Sequence, residues 1–287
     1  MFGRRCDGRR LDHIDPIVRF MPYIMPTRND AMNLAMETLD YEPMAEYIKK
    51  RSKEGAKVSF MALIIAAYVR AVAEYPALNR FIMNRQVYAR NQITVSLTVL
   101  RNANDKNNED EALVKMHFSP DATLDEVNAE ISRLVRDAIN EEEDNSVVNA
   151  ANILLKFPIL TKVVVAAARL IDRFGIIPKS LVELSPFHCS MFITNMASIG
   201  MPAINHHLYN FGNTTIFIAM GKAERRAVPT RDGVATRTVL PLGLTTDERI
   251  CGGSAYAQGF QYMKKLLANP ELLEVRPERV NSDFENV

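Results

Sequence analysis

Thr246-Asp247-Glu248-Arg249-Ile250-Cys251-Gly252-Gly253 is the stretch of this 287-residue chain that says most about its fold. A helical pattern follows from Ser254 to Ala268, and the phrase Leu-Leu-Ala-Asn-Pro-Glu-Leu-Leu closes it at residues 266–273. Upstream, β-branched and aromatic residues predict strands over residues 190–195 and 214–220. This end of the chain therefore predicts strands followed by one amphipathic helix.

Strand and helix patterns also alternate through the first half of the chain. The strand patterns cover residues 31–39, 81–83, 86–89, 92–100 and 112–118. The helical patterns cover residues 42–53, 59–74 and 123–140, and the last begins with a Thr123–Glu126 capping box. A polar loop is expected over residues 101–111. The alternation predicts one α/β domain on a mixed sheet, with residues 1–28 as an extended lead-in.

Composition narrows the classes of partner and compartment. The net charge is +1, so bulk electrostatics indicate neither a nucleic-acid nor a membrane partner. The three cysteines, Cys6, Cys189 and Cys251, are widely spaced and fit neither a disulfide framework nor a zinc site, which suggests a reducing cytoplasm. The N-terminal stretch lacks the apolar core of a signal peptide. We expect a cytoplasmic protein.

Residues 151–171 form a strongly apolar segment, called the apolar arm below. Lys156, Lys162 and Arg169 interrupt it, and Pro158 is expected to kink it, so a transmembrane helix is excluded. We expect the arm to pack on its own protein or on a neighbouring subunit, because its charges are expected on more than one helical face. The alternative is a helix that lies in a membrane interface.

Short motifs follow one another in a fixed order along the chain. They are Pro76-Ala77-Leu78-Asn79, Phe192-Ile193-Thr194-Asn195, Ser198-Ile199-Gly200, Ala219-Met220-Gly221-Lys222, Arg231-Asp232-Gly233 and the two C-terminal stretches above. Together they resemble the CoA-dependent acyltransferases, which comprise the catalytic cores of 2-oxo acid dehydrogenase complexes and chloramphenicol acetyltransferase. The resemblance covers roughly residues 30–135 and 185–275. It implies a chloramphenicol acetyltransferase-like fold, a two-layer mixed sheet with flanking helices, assembled as a homotrimer.

The chain also departs from this family. The resemblance implies a single acyltransferase-like catalytic domain over residues 1–287, in which residues 141–185 form a helical insertion. The family's Gly-Leu-x-x-Pro phrase is absent between the strands. We expect neither a lipoyl attachment nor a subunit-binding domain in this chain, which distinguishes it from the core of a conventional dehydrogenase complex.

The family moves an acyl group from CoA to a thiol or hydroxyl. Its catalytic imidazole removes the acceptor's proton, a hydroxyl from the neighbouring subunit stabilises the oxyanion, and acyl-CoA is the co-substrate. The resemblance aligns Thr194 with that hydroxyl and Glu248 with that imidazole. A Thr that only satisfies a local hydrogen bond on its strand is the alternative for Thr194. An ion pair of Glu248 with Arg249 or another cation is the alternative for Glu248, because a carboxylate with its reference pKa of about 4.3 is a poor base for a thiol.

Other residues of the expected site loops are Asn195, Ser198 and Arg249. Gly252 stands where the family has an Asp that orients the site loop, and the neighbouring Cys251 has no base placed to activate it. His206 and His207 follow the Thr194 strand and are candidates for a replacement imidazole; a satisfied loop histidine is the alternative. No Asp, Glu or Cys joins the pair at ligand spacing, so we expect no metal site.

The expected function is transfer of an acyl group from acyl-CoA to a small thiol, hydroxyl or amine. Thr194 is the expected oxyanion donor, and Glu248, His206 or His207 is the expected base. The alternative is a catalytically silent homologue that serves as an assembly or ligand-binding subunit, because both the family's His and its Asp are missing.

Overall fold

The computed structural model of the protein describes residues 5–100, 111–140, 153–230 and 233–283. The α-helices are α1 (Pro16–Ile24), α2 (Tyr41–Lys53), α3 (Phe60–Glu74), α4 (Leu124–Asn140), α5 (Pro158–Arg173), α6 (Lys179–Leu184) and α7 (Gly253–Ala268). The strands are β1 (Gly8–Arg10), β2 (Met32–Asp40), β3 (Arg80–Met83), β4 (Gln86–Arg90), β5 (Ile93–Leu100), β6 (Glu111–Phe118), β7 (Met191–Asn195), β8 (Ile216–Met220), β9 (Glu224–Thr230) and β10 (Gly233–Asp247). The predicted alternation of strands and helices is confirmed.

Local capping signals fix where the main helices begin. The Ser59 hydroxyl accepts a hydrogen bond from the Ala62 amide at 3.1 Å, so α3 starts directly after it. The predicted capping box of α4 is present, because the Thr123 amide donates to the Glu126 carboxylate at 2.8 Å and the Glu126 amide donates back to the Thr123 hydroxyl at 3.4 Å. Each cap satisfies amide groups that the helix itself leaves unpaired.

Two sheets organise the strands. The large sheet has the order β2-β10-β8-β7-β5-β6, and β9 pairs with β10. Within it β7 runs parallel to both β5 and β8, whereas the other pairs are antiparallel, so the sheet is mixed as predicted. The small sheet has the order β1-β4-β3. Its β3–β4 turn places Asn84 and Arg85 at positive φ, which explains the predicted hairpin there.

The main core lies between the large sheet and the helices on one of its faces. Helix α3 is buried from Ala62 to Ala73 and packs against α4 and α7. The opposite face carries a smaller apolar cluster of Cys189, Phe192, Leu208, Phe217 and Ala219. Because side chains alternate along a strand, neighbouring residues of β7 and β8 serve these two faces in turn.

The expected extended lead-in is wrong for residues 16–24, which form α1. The Asp15 carboxylate caps the helix by accepting a hydrogen bond from the Ile17 amide at 2.7 Å. Pro16 takes a first-turn position, where its missing N–H removes no helical hydrogen bond. Among the other expectations, residues 101–110 of the polar loop, residues 141–152 of the insertion, and Arg231 and Asp232 lie outside the described residues.

The apolar arm is not packed as expected on its own chain. Helix α5 begins at Pro158, so this proline starts the helix and does not kink it. Asp172 is the one buried residue of α5, while Ile159 is 79% exposed and Val163 58% exposed. Packing on a neighbouring subunit stays a prediction. No helix in the described part of the chain is both long and apolar enough to cross a membrane.

A buried ionic cluster anchors α5 to the body of the protein. The Asp172 carboxylate lies 2.7 Å from the Arg5 guanidinium and 3.1 Å from His188 Nε2. Arg5 also pairs with Asp7 at 2.8 Å. Burial alone would raise the pKa of Asp172, but the hydrogen bond from His188 and the attraction of His188 and Arg5 outweigh it and hold this pKa below its usual value. The cluster therefore favours the ionised carboxylate.

Replacing Asp172 with Asn should lower the free energy of unfolding by about 3 kcal/mol at neutral pH, because it leaves Arg5 buried with one counter-charge fewer. Urea denaturation measures this loss. The ordinary carboxyl pKa is 3.8, and the folded-state pKa of Asp172 lies below it. The stabilisation that the Asp172 carboxylate provides is therefore complete above the ordinary pKa of 3.8 and is lost as the pH falls through the lowered folded-state pKa. The difference in free energy of unfolding between the wild type and the variant should consequently become smaller in acid.

Asp12→Asn is the matched control, because Asp12 pairs with Arg10 at 2.9 Å on the surface. This substitution should cost less than about 1 kcal/mol. Equal losses for the two variants would contradict the anchoring role of Asp172.

Candidate active site

Thr194 lies near the carboxyl end of β7. It pairs with Ala219 of β8, which in turn pairs with Gly243 of β10. The Thr194 side chain is half-buried, and no described residue forms a hydrogen bond with its hydroxyl. The local hydrogen bond that was the alternative explanation for this threonine is therefore not found among the described residues.

The segment 201–209 crosses the same face of the sheet in close contact with two glycines. A Cβ added to Gly243 would lie 1.8 Å from the Ile204 carbonyl oxygen, and one added to Gly221 would lie 2.1 Å from the Ala203 nitrogen. Arg28 holds the far end of this segment, because its guanidinium donates to the Tyr209 carbonyl at 2.5 Å and to the Gly212 carbonyl at 2.7 Å. Glycine is therefore required where this backbone approaches the sheet.

A cavity of about 1110 Å³ opens beside Thr194. Its walls come from the carboxyl ends of β5 and β7, from the 195–209 region, and from residues of α2, α3 and α4. The side chains that line it include Thr194, Asn195, Ser198, His206, Tyr209 and Phe217. The described lining is mainly apolar, with Glu111 as its one acidic residue and with no lysine or arginine. The cavity thus suits an uncharged chain with a few polar groups at the Thr194 end.

His206 lies in this cavity, half-buried against the sheet. Its ring stacks on Phe217 with centroids 4.0 Å apart and planes 8° apart. Its Nδ1 lies 2.8 Å from the His207 carbonyl oxygen. Since a carbonyl only accepts, Nδ1 carries the hydrogen and Nε2 keeps its lone pair in the neutral ring. Burial is the main reason why the pKa of His206 lies below its usual value, which favours that neutral form.

His207 differs from its neighbour. Its ring is exposed, stacks on His206 with centroids 4.6 Å apart, and is not among the residues lining the cavity. No described group of three His, Cys, Asp or Glu side chains around the pair is arranged to hold a metal ion.

Glu248 lies outside the cavity, just beyond the end of β10. Its carboxylate accepts a hydrogen bond from the Asn33 amide group at 2.8 Å, and its backbone N–H donates to the Ala31 carbonyl at 2.9 Å. The β2–β10 register explains this contact, because Asn33 pairs with Thr246. The ion pair with Arg249 that was the alternative explanation for Glu248 is not present.

Arg249 pairs instead with the buried carboxylate of Asp247. Two bonds join them, Nε to Oδ1 at 2.8 Å and a terminal guanidinium nitrogen to Oδ2 at 2.7 Å. Arg28 approaches the same carboxylate at 3.8 Å. Burial is the main cause that lowers the pKa of Arg28 to about 10, and the charge of Asp247 opposes it. This cluster fixes the turn after β10 and leaves the Glu248 side chain on the outside.

Thr194 and Glu248 are far apart within one chain. Thr194 lies at the level of Gly243, two strands away, and Glu248 follows Gly243 by five positions along β10. At about 3.4 Å per residue and 4.8 Å per strand, roughly 20 Å separates their backbones. One chain therefore does not bring these two residues together, whereas it does bring Thr194 and His206 into one cavity.

Gly252 and Cys251 lie where α7 begins. Gly252 is the N-cap with ordinary dihedral angles, and a Cβ there would meet nothing within 4 Å. Position 252 thus has room for a side chain. Burial raises the pKa of the Cys251 thiol to about 12, so this cysteine stays protonated at neutral pH and is not a nucleophile.

The remaining expected loop residues stand at the cavity wall. The Ser198 hydroxyl donates to the Asn195 carbonyl at 2.6 Å. The Asn195 side-chain oxygen is buried, with no hydrogen-bond partner among the described residues. Sequence patterns missed Asn33, because its contact with Glu248 joins residues 215 positions apart. They also missed the role of Phe217. Its strand was predicted, but its stacking on the His206 ring was not.

Gly243→Ala should destabilise the protein by about 2 kcal/mol or more, because the new methyl group would overlap the Ile204 carbonyl and push the 201–209 segment from the sheet. Thermal and urea unfolding measure the effect. Gly253→Ala is the matched control, since its Cβ would meet nothing within 4 Å at the start of α7. That variant should be neutral or slightly more stable; similar losses in both would contradict the close approach at Gly243.

Comparisons with known proteins agree with this architecture. Residues 188–275 match the family model of the 2-oxoacid dehydrogenases acyltransferase catalytic domain. The structure is similar to a probable dihydrolipoamide acetyltransferase from Listeria monocytogenes 4b F2365, at 15% identity and a TM-score of 0.57 over 91% of this chain and 94% of the other. None of the curated proteins matches this sequence.

Two further solved structures share the fold. The cubic core of the pyruvate dehydrogenase multienzyme complex is similar at 14% identity and a TM-score of 0.59, over 92% of this chain and 94% of the other. A chloramphenicol acetyltransferase is similar at 16% identity and a TM-score of 0.53, over 91% and 99%. The predicted fold and the predicted family resemblance are both confirmed. The chain has the chloramphenicol acetyltransferase-like fold, and its residues 188–275 carry the sequence pattern of the 2-oxo acid dehydrogenase acyltransferase catalytic domain.

Proposed function

We propose that this protein transfers an acyl group from acyl-CoA to a small thiol, hydroxyl or amine. The observation that carries the proposal is that a hydroxyl without a hydrogen-bond partner among the described residues, Thr194, and a neutral imidazole, His206, line one cavity in a single chain. A hydroxyl donor and a nearby base are the two groups that acyl transfer requires.

Thr194 is the proposed oxyanion donor. When the acceptor attacks the thioester carbonyl, negative charge develops on the carbonyl oxygen, and the Thr194 hydroxyl donates a hydrogen bond to it. Because this hydroxyl forms no hydrogen bond with a described residue, none of the described contacts has to break before it bonds the oxyanion. The family resemblance aligns the same residue with the oxyanion-stabilising hydroxyl.

His206 is the proposed base. Its Nε2 takes the proton of the attacking thiol, hydroxyl or amine as the new bond to the carbonyl carbon forms. Collapse of the tetrahedral intermediate breaks the carbon–sulfur bond, and the imidazolium returns the proton to the departing CoA sulfur. The hydrogen bond from Nδ1 to the His207 carbonyl orients the ring and fixes the tautomer for this task.

The lining of the cavity suits the pantetheine arm and the acyl group, which carry no net charge. Since the described lining contains neither lysine nor arginine, we place the phosphates of CoA outside the cavity. We also propose a homotrimer, as the family resemblance implies. Exposed Leu34 and Met36 on the edge strand β2, next to the Asn33–Glu248 contact, offer apolar surface for a neighbouring subunit. The free state of Cys6, Cys189 and Cys251 is compatible with a reducing cytoplasm.

Turnover of acyl-CoA tests the assignment. It is measured as release of the CoA thiol in the presence of a panel of small acceptors. Thr194→Val should lower kcat by about 100-fold or more, and His206→Gln by a similar factor. Both variants should still bind free CoA in calorimetry. His207→Gln is the matched control and should change kcat by less than about threefold.

The pH profile gives a second readout. The base acts when neutral, and the pKa of His206 is lowered, so kcat/KM should begin to fall only below the ordinary histidine value of 6.5. Glu248→Gln distinguishes the other candidate base. If Glu248→Gln loses turnover while His206→Gln keeps it, the base is Glu248 of a neighbouring subunit. No CoA binding at millimolar ligand would favour the silent assembly subunit.

A further inference from the structure

Helix α5 exposes a continuous apolar stripe. Ile159, Leu160, Val163 and Leu170 are 79%, 50%, 58% and 56% exposed. At about 100° per residue these side chains fall on one side of the helix, together with Ala166 and Ala167. An exposed apolar surface of this kind marks an interaction site, because leaving it in water is costly.

The basic residues of α5 form a second stripe beside the apolar one. Lys162, Arg169 and Arg173 lie within an arc of about 40° on the helix, all exposed. Of the three charges that interrupt the apolar arm in the sequence, Lys156 lies before α5, and the two that lie on the helix, Lys162 and Arg169, share one face. Lys162 and Arg169 form no ion pair with a described residue, whereas Arg173 donates to the Asn84 side chain at 2.8 Å.

The third side of α5 holds the helix on the protein. Thr161, Ala168 and Ile171 are half-buried there, and Asp172 is buried in the ionic cluster with Arg5 and His188. Asp172 is also the one acidic residue between residues 153 and 181, so the described arm exposes basic but no acidic side chains. The apolar stripe consequently points away from the body of the protein.

From this arrangement we propose that α5 binds the surface of membranes that contain anionic lipids. The 16-residue helix is about 24 Å long and lies in the plane of the membrane, with its apolar stripe among the acyl chains and Lys162 and Arg169 at the headgroups. The helix is too short and too interrupted to span the bilayer. This surface is independent of the proposed acyl transfer.

The charge pattern favours a membrane over a protein partner. A protein surface would have to match Lys162, Arg169 and Arg173 with acidic residues in one register. An anionic leaflet supplies negative charge at every position and hydrocarbon directly below it. A second copy of α5 would bring further basic residues and no exposed acid.

Binding to vesicles tests the proposal with the full-length protein. The chain contains no tryptophan, so Val163→Trp adds a single probe at the centre of the stripe. Its emission should shift to shorter wavelength with vesicles of phosphatidylcholine and phosphatidylserine, and should shift much less with phosphatidylcholine alone. Val234→Trp is the matched control, since Val234 is 75% exposed on the β9–β10 hairpin, outside the proposed membrane surface, and should show no shift.

Two variants identify the residues responsible in vesicle sedimentation. Ile159→Glu with Val163→Glu should abolish sedimentation, and Lys162→Gln with Arg169→Gln should weaken it by about 10- to 30-fold. Lys49→Gln with Lys53→Gln on α2 should leave it unchanged. The proposal is overturned if the wild-type protein does not sediment with anionic vesicles. It is also overturned if Ile159→Glu with Val163→Glu sediments normally, or if that variant alters only the oligomeric mass, which would assign the stripe to a second copy.

Discussion

The buried contact of Arg28 and Arg249 with Asp247 is the interaction on which the arrangement of this site depends. It joins three parts of the chain that are remote in sequence: the segment before β2, the end of β10, and the backbone at Tyr209 and Gly212. A carboxylate removed from water needs paired cations, and its two partners are held in place by backbone carbonyls in turn. The orientation of the turn after β10 and the path of the 201–209 segment thus have one common cause.

The contact of Arg28 and Arg249 with Asp247 keeps Glu248 away from Thr194 within one chain, although the family resemblance assigns both positions to one mechanism. Position 248 is turned outward and contacts Asn33, whereas Thr194 faces the cavity beneath the 201–209 segment. The same segment carries His206 over Phe217, so the chain brings its own imidazole to the face on which Thr194 lies. One framework of strands therefore places Thr194 and His206 on the same face and Glu248 beyond the end of β10.

Sequence patterns predicted the elements whose causes are local. Ser59 and Thr123 start helices through contacts within three residues, and the alternation of β7 and β8 follows from their own side chains. Helix α1 was not predicted within the lead-in. Its Pro16 lies in the first turn, where proline favours a helix, whereas proline in a helix interior disrupts it. The environments of Glu248 and His206 depend on partners that are distant in sequence, namely Asn33 and Phe217, and no local pattern encodes them. Packing of the arm on its own chain, one of the two expectations, is not found, because the sequence pattern shows an apolar stripe but not whether another part of the chain covers it.

The distance between Thr194 and Glu248 has an evolutionary consequence. When two catalytic groups come from different subunits, a substitution in one copy damages the site of its neighbour, and selection acts on the assembly as a whole. When both groups belong to one chain, a substitution affects only the active site of the polypeptide that carries it. A site built from Thr194 and His206 would not depend on residue 248 of a neighbouring subunit. Position 248 would then no longer be under selection for catalysis and could accept substitutions, such as the glutamate found there.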